Sequence, residues 1–312
     1  MKILIVGGGG FIGSALLKHL AKRHECICFG HGSRYSNLRR ILPEVKEFID
    51  GDITNEKLVR ETIRGMDAVI DLAGTGGEAV CFADPVRALS THVYGAHLLL
   101  REVCRNNVGR FIFTSTIAVY GTYHQGRSMP LTEDMEPRLD EFYGALKATS
   151  EREIIDSGQY QIFRLANVYG SGSGFFSLSS GVVGRFIQAA HEGMPLQIYG
   201  DGEQLIDYVH IEDVCHAFEI VIEKPRTNFV YNIGGGCPIS IRKLAEIVRY
   251  LGETELECEV SIEHVPFPPN KPSPSRWLSI AKAGRELGWY PGMTIEAGIR
   301  EMFMNYRGKR SE

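Results

Sequence analysis

The sequence predicts an α/β fold: a doubly wound parallel sheet with a smaller C-terminal α/β lobe. Three observations predict it: short apolar runs recurring along the first 170 residues, amphipathic segments between them, and a glycine cluster directly after the first run. Apolar runs that do not alternate with polar residues read as strands buried on both faces. Helical segments between such strands cover the faces and return the chain to start each parallel neighbour.

The elements follow in order. Ile3 to Val6 is the first strand; after the glycines, Phe11, Ile12, Leu16, Leu17 and Leu20 fall at helical spacing and complete a βα unit. Further strands are expected at Cys26–Phe29, Glu47–Ile49, Ala68–Leu72, Phe111–Phe113 and Gln161–Leu165. After about residue 170 the pattern degrades: Ser171 to Gly174 is a glycine/serine loop, and the prolines crowd between Pro266 and Pro274. Residues 1–170, with a return segment at 207–231, are assigned to the first domain, and 171–206 with 232–312 to the second lobe.

Composition narrows the classes. Apolar residues make up 44% and charged residues 23%, ordinary globular usage that argues against disordered and fibrous chains. Lys+Arg number 34 against Asp+Glu 38, a net charge of −4, so no global basic field exists to hold nucleic acid or an anionic membrane. No run approaches the roughly 18 apolar residues of a membrane span. The lysine and apolar run at Met1 to Leu17 are interrupted by Gly7 to Gly10 and read as strand and helix, not as a leader. The seven cysteines (Cys26, Cys28, Cys81, Cys104, Cys215, Cys237, Cys258) form no Cys-x-x-Cys pair and no zinc spacing, which fits a reduced cytoplasmic protein without a metal.

Gly7, Gly10 and Gly13 stand where the first strand meets the first helix, whose opening residues are Phe11 and Ile12. Backbone N–H groups and the positive helix end there suit a pyrophosphate, and glycines allow the tight turn and close approach. The context makes this a Rossmann-type dinucleotide site. Leu72, Ala73 and Gly74, leaving the fourth strand, are assigned to the same site. The second strand ends not in an acid but in Gly30, followed by His31-Gly32-Ser33-Arg34. Ser33 and Arg34 are therefore candidates for a 2′-phosphate, with a solvated loop charge as the other reading, so NAD is expected and NADP is compatible. Asp52, followed by Ile53, is placed to meet the adenine edge, or is simply a turn aspartate.

Tyr143 and Lys147 are four apart on an expected helix and share one face. A phenol is a poor base at neutral pH, and a nearby cation is expected to lower its pKa. Thr114, Ser115 and Thr116, at the end of a strand, offer a hydroxyl to hold a substrate oxygen beside that phenol.

Six ordered motifs carry a resemblance: Gly7-x-x-Gly10-x-x-Gly13, Thr116 to Gly121, Tyr143-x-x-x-Lys147, Asn167 to Gly170, Tyr199 to Gly202, and Asp207 to His210. Together the chain resembles the extended short-chain dehydrogenase/reductase superfamily, in its NAD-dependent nucleotide-sugar epimerase/dehydratase branch. The resemblance implies that Thr116 is the catalytic hydroxyl, Tyr143 the acid/base and Lys147 the residue holding the nicotinamide ribose. It also implies that Asn167 and Arg276 contact the nucleotide sugar, Arg276 having a solvated charge as its other reading.

The departures from that pattern are as informative. Related 4,6-dehydratases carry an Asp-Glu pair just after the catalytic hydroxyl, where this chain has Ile117 and Ala118. Elimination of water needs its own acid and base, so this argues against a dehydratase. Ala118 likewise offers no thiol for a 3,5-epimerase. Ile206, His92 and Asp71 stand where the family often has Arg, Asn and His, and His210 is expected to pack, not to ionise in catalysis. The reading is a 4-epimerase acting through a 4-keto sugar, with a 4-ketosugar reductase and a non-catalytic dinucleotide sensor as alternatives. Its expected partners are a nucleotide sugar and a second copy of the chain.

Overall fold

A computed structural model of the chain describes residues 1–31, 42–74, 76–124, 130–158, 160–171, 181–224, 228–257, 259–267 and 275–307. The first strands are β1 (Lys2–Val6), β2 (Glu25–Gly30), β3 (Glu47–Asp50), β4 (Ala68–Asp71), β5 (Arg110–Thr116) and β6 (Gln161–Leu165). They are followed by β7 (Asn167–Tyr169), β8 (Leu196–Tyr199), β9 (Leu205–Ile206), β10 (Tyr208–His210), β11 (Phe229–Ile233), β12 (Ile239–Ser240) and β13 (Ile262–Val265). The central sheet has the order β11-β6-β5-β4-β1-β2-β3, with parallel pairing from β6 through β3.

That order has a consequence for binding. The chain builds β1, β2 and β3 outward to one side, then crosses to lay down β4, β5 and β6 on the other. Loops leaving β1 and β4 therefore diverge, and the crevice between them is where open α/β sheets bind ligands. β5 runs on through Thr116, beyond the expected Phe113, because Phe113 to Thr116 pair with Ile162 to Leu165 of β6.

Both faces of the sheet are buried, as the unbroken apolar runs require. Leu4, Val6, Ile27, Phe29, Val69, Phe111 and Phe113 share one core with Val59 and Ile63 of the helix Glu56–Ile63 and Leu99 and Val103 of the helix Ala96–Arg105. Their neighbours Ile3, Ile5, Cys26, Cys28, Ile70 and Ile112 point to the opposite face and are equally buried.

The chain divides into two compact units: Met1–Tyr123, Glu133–Leu165 and Cys215–Asn232 in the first; His124–Thr132, Ala166–Val214 and Ile233–Glu312 in the second. The segment that returns to the first unit starts at Cys215 and not at 207, because β10 pairs in parallel with β7 inside the second unit. The second unit has its own core. Val183, Phe186 and Ile187, Leu244, Val248 and Leu251, and Ile299, Met302 and Phe303 project from three helices onto Leu196 and Ile198 of β8. Its fully buried Asp207 accepts hydrogen bonds from Gly235 N–H at 2.7 Å and Leu278 N–H at 2.9 Å, tying two loops together. Among the described residues no helix is long and apolar enough to cross a membrane.

One charged pair lies inside the first unit. Arg164 of β6 donates to Glu151 through Nε and Nη2, the latter at 2.7 Å, and through Nη1 to the Tyr120 hydroxyl at 3.0 Å. Both charges are buried, so deleting one leaves the other without compensation. Glu151→Ala is expected to destabilise the protein by about 3–5 kcal/mol, measured by urea unfolding; a loss below about 1 kcal/mol would mean that Arg164 finds water or another acceptor.

Candidate active site

The glycine loop is shaped by contacts within the backbone. Gly7 has φ +77, and a Cβ on Gly13 would stand 2.3 Å from the Gly7 carbonyl oxygen and 2.6 Å from Gly8 Cα. The helix Phe11–Leu20 can therefore seat against the loop only with glycine at its third position. Gly10 caps this helix without a side chain, and the first turn holds no acid. The N–H groups of Phe11, Ile12 and Gly13 have no acceptor within the helix, so this end favours an anion.

Above the loop lies a cavity of about 430 Å³ at the carboxyl ends of β1, β2 and β4. It is lined by the expected Gly7, Gly10, Asp52, Ile53, Leu72, Ala73 and Gly74, and also by Gly30, His31, Arg87 and Thr91. Phe11, Ile12 and Gly13 form the helix start and do not line it; Ser33 and Arg34 lie outside the described residues. Asp52 is a turn aspartate that also lines the cavity. Its Oδ1 accepts the Thr54 N–H at 2.8 Å and the Thr54 hydroxyl at 2.8 Å, and the backbone bond first of all lowers its pKa, while the residue also faces the cavity. Cavity size, glycine cradle and acid-free helix end fit a dinucleotide.

Thr116, Tyr143 and Lys147 all lie in the first unit, Thr116 at the end of β5 and the other two on one helix. Tyr143 opens the helix Phe142–Asp156, and the Thr116 hydroxyl lies near enough to its phenol to favour the phenolate. Gly144 makes that approach possible: a Cβ there would lie 2.2 Å from the Ala118 carbonyl oxygen. Thr116 Oγ1 also accepts the Ala118 N–H at 3.2 Å, which fixes its rotamer at the strand end. Thr114 and Ser115, the other candidate hydroxyls, are buried without a hydrogen-bond partner among the described residues.

Lys147 is buried; its ammonium lies over the Phe113 ring at 4.6 Å and donates to the Thr114 carbonyl at 2.8 Å. Burial lowers its pKa, opposed chiefly by the charge of Asp71 and then Glu151. Asp71 is raised by burial, with Lys147 opposing, and accepts the Ala73 N–H at 2.9 Å, which shapes the cavity wall. The expected lowering of the Tyr143 pKa is not found. Burial pushes the phenol up to about 12, the Cys81 thiol adds to the rise, and the Thr116 hydroxyl offsets only part of it. The Lys147 ammonium donates to the Thr114 carbonyl and not to the phenol.

Asn167 and Arg276 belong to the second unit. The Asn167 amide donates to the Asp207 carbonyl at 3.0 Å, beside a backbone bond from its own N–H to the same oxygen, so it ties β7 to β10. Arg276 bridges to Ile206, its N–H donating to the Leu205 carbonyl at 2.9 Å. His210 is buried, its Nδ1 accepting the Glu212 N–H at 3.4 Å and its Nε2 lying 3.4 Å from Glu301.

Gly144, Arg87 and Thr91 are not among the residues expected from the sequence. For Gly144 the signal was available, a glycine inside an otherwise good helix next to Tyr143. Arg87 and Thr91 carry no local signal, since only the fold brings them to the cavity.

Comparison with known proteins places these features in context. The family model described as the NAD dependent epimerase/dehydratase family matches residues 3–234. The low-salt glycan biosynthesis protein Agl12 of Haloferax volcanii is 29% identical over 327 residues, covering 99% of this chain and 99% of that protein. Among solved structures, the UDP-glucose 4-epimerase of Thermotoga maritima with UDP-glucose superimposes with a TM-score of 0.88 at 28% identity, covering 99% of this chain and 100% of that one. The dTDP-glucose 4,6-dehydratase of Bacillus anthracis in complex with NAD gives 0.84 at 25% identity, covering 100% and 98%.

Proposed function

The chain belongs to the NAD dependent epimerase/dehydratase family, and we propose that within it the protein is a 4-epimerase of a nucleotide-linked hexose or hexuronate. The observation that carries this reading is the pair Ile117 and Ala118, both apolar and buried, directly after Thr116. A dehydratase needs an acid and a base of its own to eliminate water. These two side chains supply neither.

Gly7, Gly10 and the helix start at Phe11 to Gly13 would hold the pyrophosphate, Asp52 and Ile53 the adenosine end, and Leu72 to Gly74 with Lys147 the nicotinamide side. When bound, NAD supplies reversible hydride acceptance. The chain's own residues handle protons and orientation. Tyr143 Oη takes the proton of the C4 hydroxyl and later returns it, while Thr116 Oγ1 holds the same sugar oxygen in line. Asn167 and Arg276 are proposed to contact the nucleotide sugar.

A ketosugar reductase would use the same three residues, and it is favoured by one observation: β2 ends in Gly30 with Arg87 lining the same cavity. Incubation with UDP-glucose, UDP-glucuronic acid and dTDP-glucose, followed by proton NMR and mass spectrometry, separates the readings. The expected product is a C4 epimer of unchanged mass, with no net use of cofactor. A 4-keto-6-deoxy sugar, lighter by one water, would overturn the proposal; stoichiometric NADPH consumption with an added 4-ketosugar would select the reductase.

A further inference from the structure

Tyr143 is the second residue of its helix, a place where backbone N–H groups find no acceptor within the helix. The residue at the cap, Glu141, offers no side-chain bond to this end. The acceptor comes instead from a segment more than sixty positions earlier, the helix Gly77–Ala83. One oxygen of the Glu78 carboxylate accepts the Phe142 N–H at 2.9 Å, and the other accepts the Tyr143 N–H at 2.8 Å. A carboxylate on two N–H donors at the positive end of a helix is charge-assisted twice over.

The rest of that short helix grips the same turn. Cys81 is fully buried in a cluster with Ala88 and Leu146, against which Phe142 and Tyr143 pack. Phe82 meets the Phe142 ring edge-on at 5.8 Å. From the other side the His92 ring meets the Tyr143 ring edge-on at 5.4 Å, with the Cys81 sulfur 3.8 Å from His92 Nε2. The ring of Tyr143 is thus bounded by packing that tolerates small slides. The helix start that carries it is held by two directional bonds from a single side chain, one at the Phe142 N–H and one at the Tyr143 N–H.

We propose that Glu78 is a positioning residue: by capping the Phe142–Asp156 helix from outside, its carboxylate fixes the Tyr143 backbone and so sets the distance from the phenol to the reacting oxygen held by Thr116. This rests on the reading of Tyr143 as acid/base. Misplacement of a reacting group by about 1 Å costs on the order of 10²-fold in rate, so a cap that prevents a slide has a large lever.

Glu78→Ala, Glu78→Gln and Tyr143→Phe, assayed together with NAD and the nucleotide sugar, test this. Glu78→Ala is expected to lower kcat by about 10- to 100-fold with KM within about threefold, because the loss is of orientation and not of binding. Glu78→Gln, which keeps one acceptor oxygen, is expected to recover much of that loss. Amide hydrogen exchange supplies a readout independent of activity: in Glu78→Ala the Phe142 and Tyr143 amides exchange at least about tenfold faster while those of the central sheet do not change. Unchanged exchange at these two amides would overturn the cap. Faster exchange with kcat within about twofold of wild type would make Glu78 a structural cap only and overturn the positioning role, as would a rise in KM alone. Tyr143→Phe separates the two claims. If it keeps full turnover, the acid/base reading fails; if it is inactive beside a fully active Glu78→Ala, only the positioning role fails.

Discussion

Tyr143→Phe is expected to reduce epimer formation by about 10²–10⁴-fold, the range over which a positioned acid/base acts, while NAD(H) affinity stays within about threefold. The substitution is clean for a structural reason. Phenylalanine keeps the edge contact with His92 and the packing on Leu146, and it loses only the phenol oxygen. The phenol of the unliganded protein, pushed up to about 12 by burial, holds its proton at neutral pH. Only the deprotonated oxygen can take the C4 hydroxyl proton, so wild-type oxidation of the sugar should quicken as pH rises through the neutral range. The variant's residual rate should be flat over the same range. Retention of more than about a tenth of wild-type turnover would remove Tyr143 from the acid/base role.

The second large effect is expected at Gly13. Gly13→Ala puts a methyl 2.3 Å from the Gly7 oxygen and 2.6 Å from Gly8 Cα, both backbone atoms that cannot swing aside. Either the helix start backs off or the loop deforms, and each moves the N–H groups that are proposed to hold the pyrophosphate. Dinucleotide affinity is expected to fall by at least about 100-fold, with a loss of roughly 1–3 kcal/mol in stability from overpacking. Titration calorimetry and thermal melts read the two effects. Gly10→Ala is the comparison: its Cβ would meet only the Gly7 oxygen, at 3.2 Å, so the fold tolerates it and any weakened binding reports the ligand's own approach. Normal binding by folded Gly13→Ala would remove the loop from the dinucleotide site.

Much of this architecture was legible in the chain itself. Runs such as Ile3 to Val6 and Ala68 to Asp71 announce strands because a strand buried on both faces has no polar positions to alternate with. The glycine triplet is legible for a similarly local reason, since Gly7, Gly10 and Gly13 constrain one another across a single turn. Tyr143 and Lys147 share a face through helical period alone. The roles of Thr116, Ile117 and Ala118 came from resemblance to a family, not from period or composition.

What the sequence by itself determined, then, is everything encoded within one βα unit: the strands, the glycine cradle and the spacing of Tyr143 to Lys147. Only the tertiary structure decided which distant groups surround them. Glu78 reaches the Tyr143 N–H, Gly144 lets its helix lie on Ala118, Arg87 comes to the cavity above the glycine loop, and the Asn167 amide turns to Asp207. The phenol's raised pKa belongs to the same class, because burial is a property of the packed unit and not of the residue. The physical reason is the sheet order. Strands adjacent in space are separated by whole helices in sequence, so side chains on the loops at their carboxyl ends converge without any local pattern to announce them.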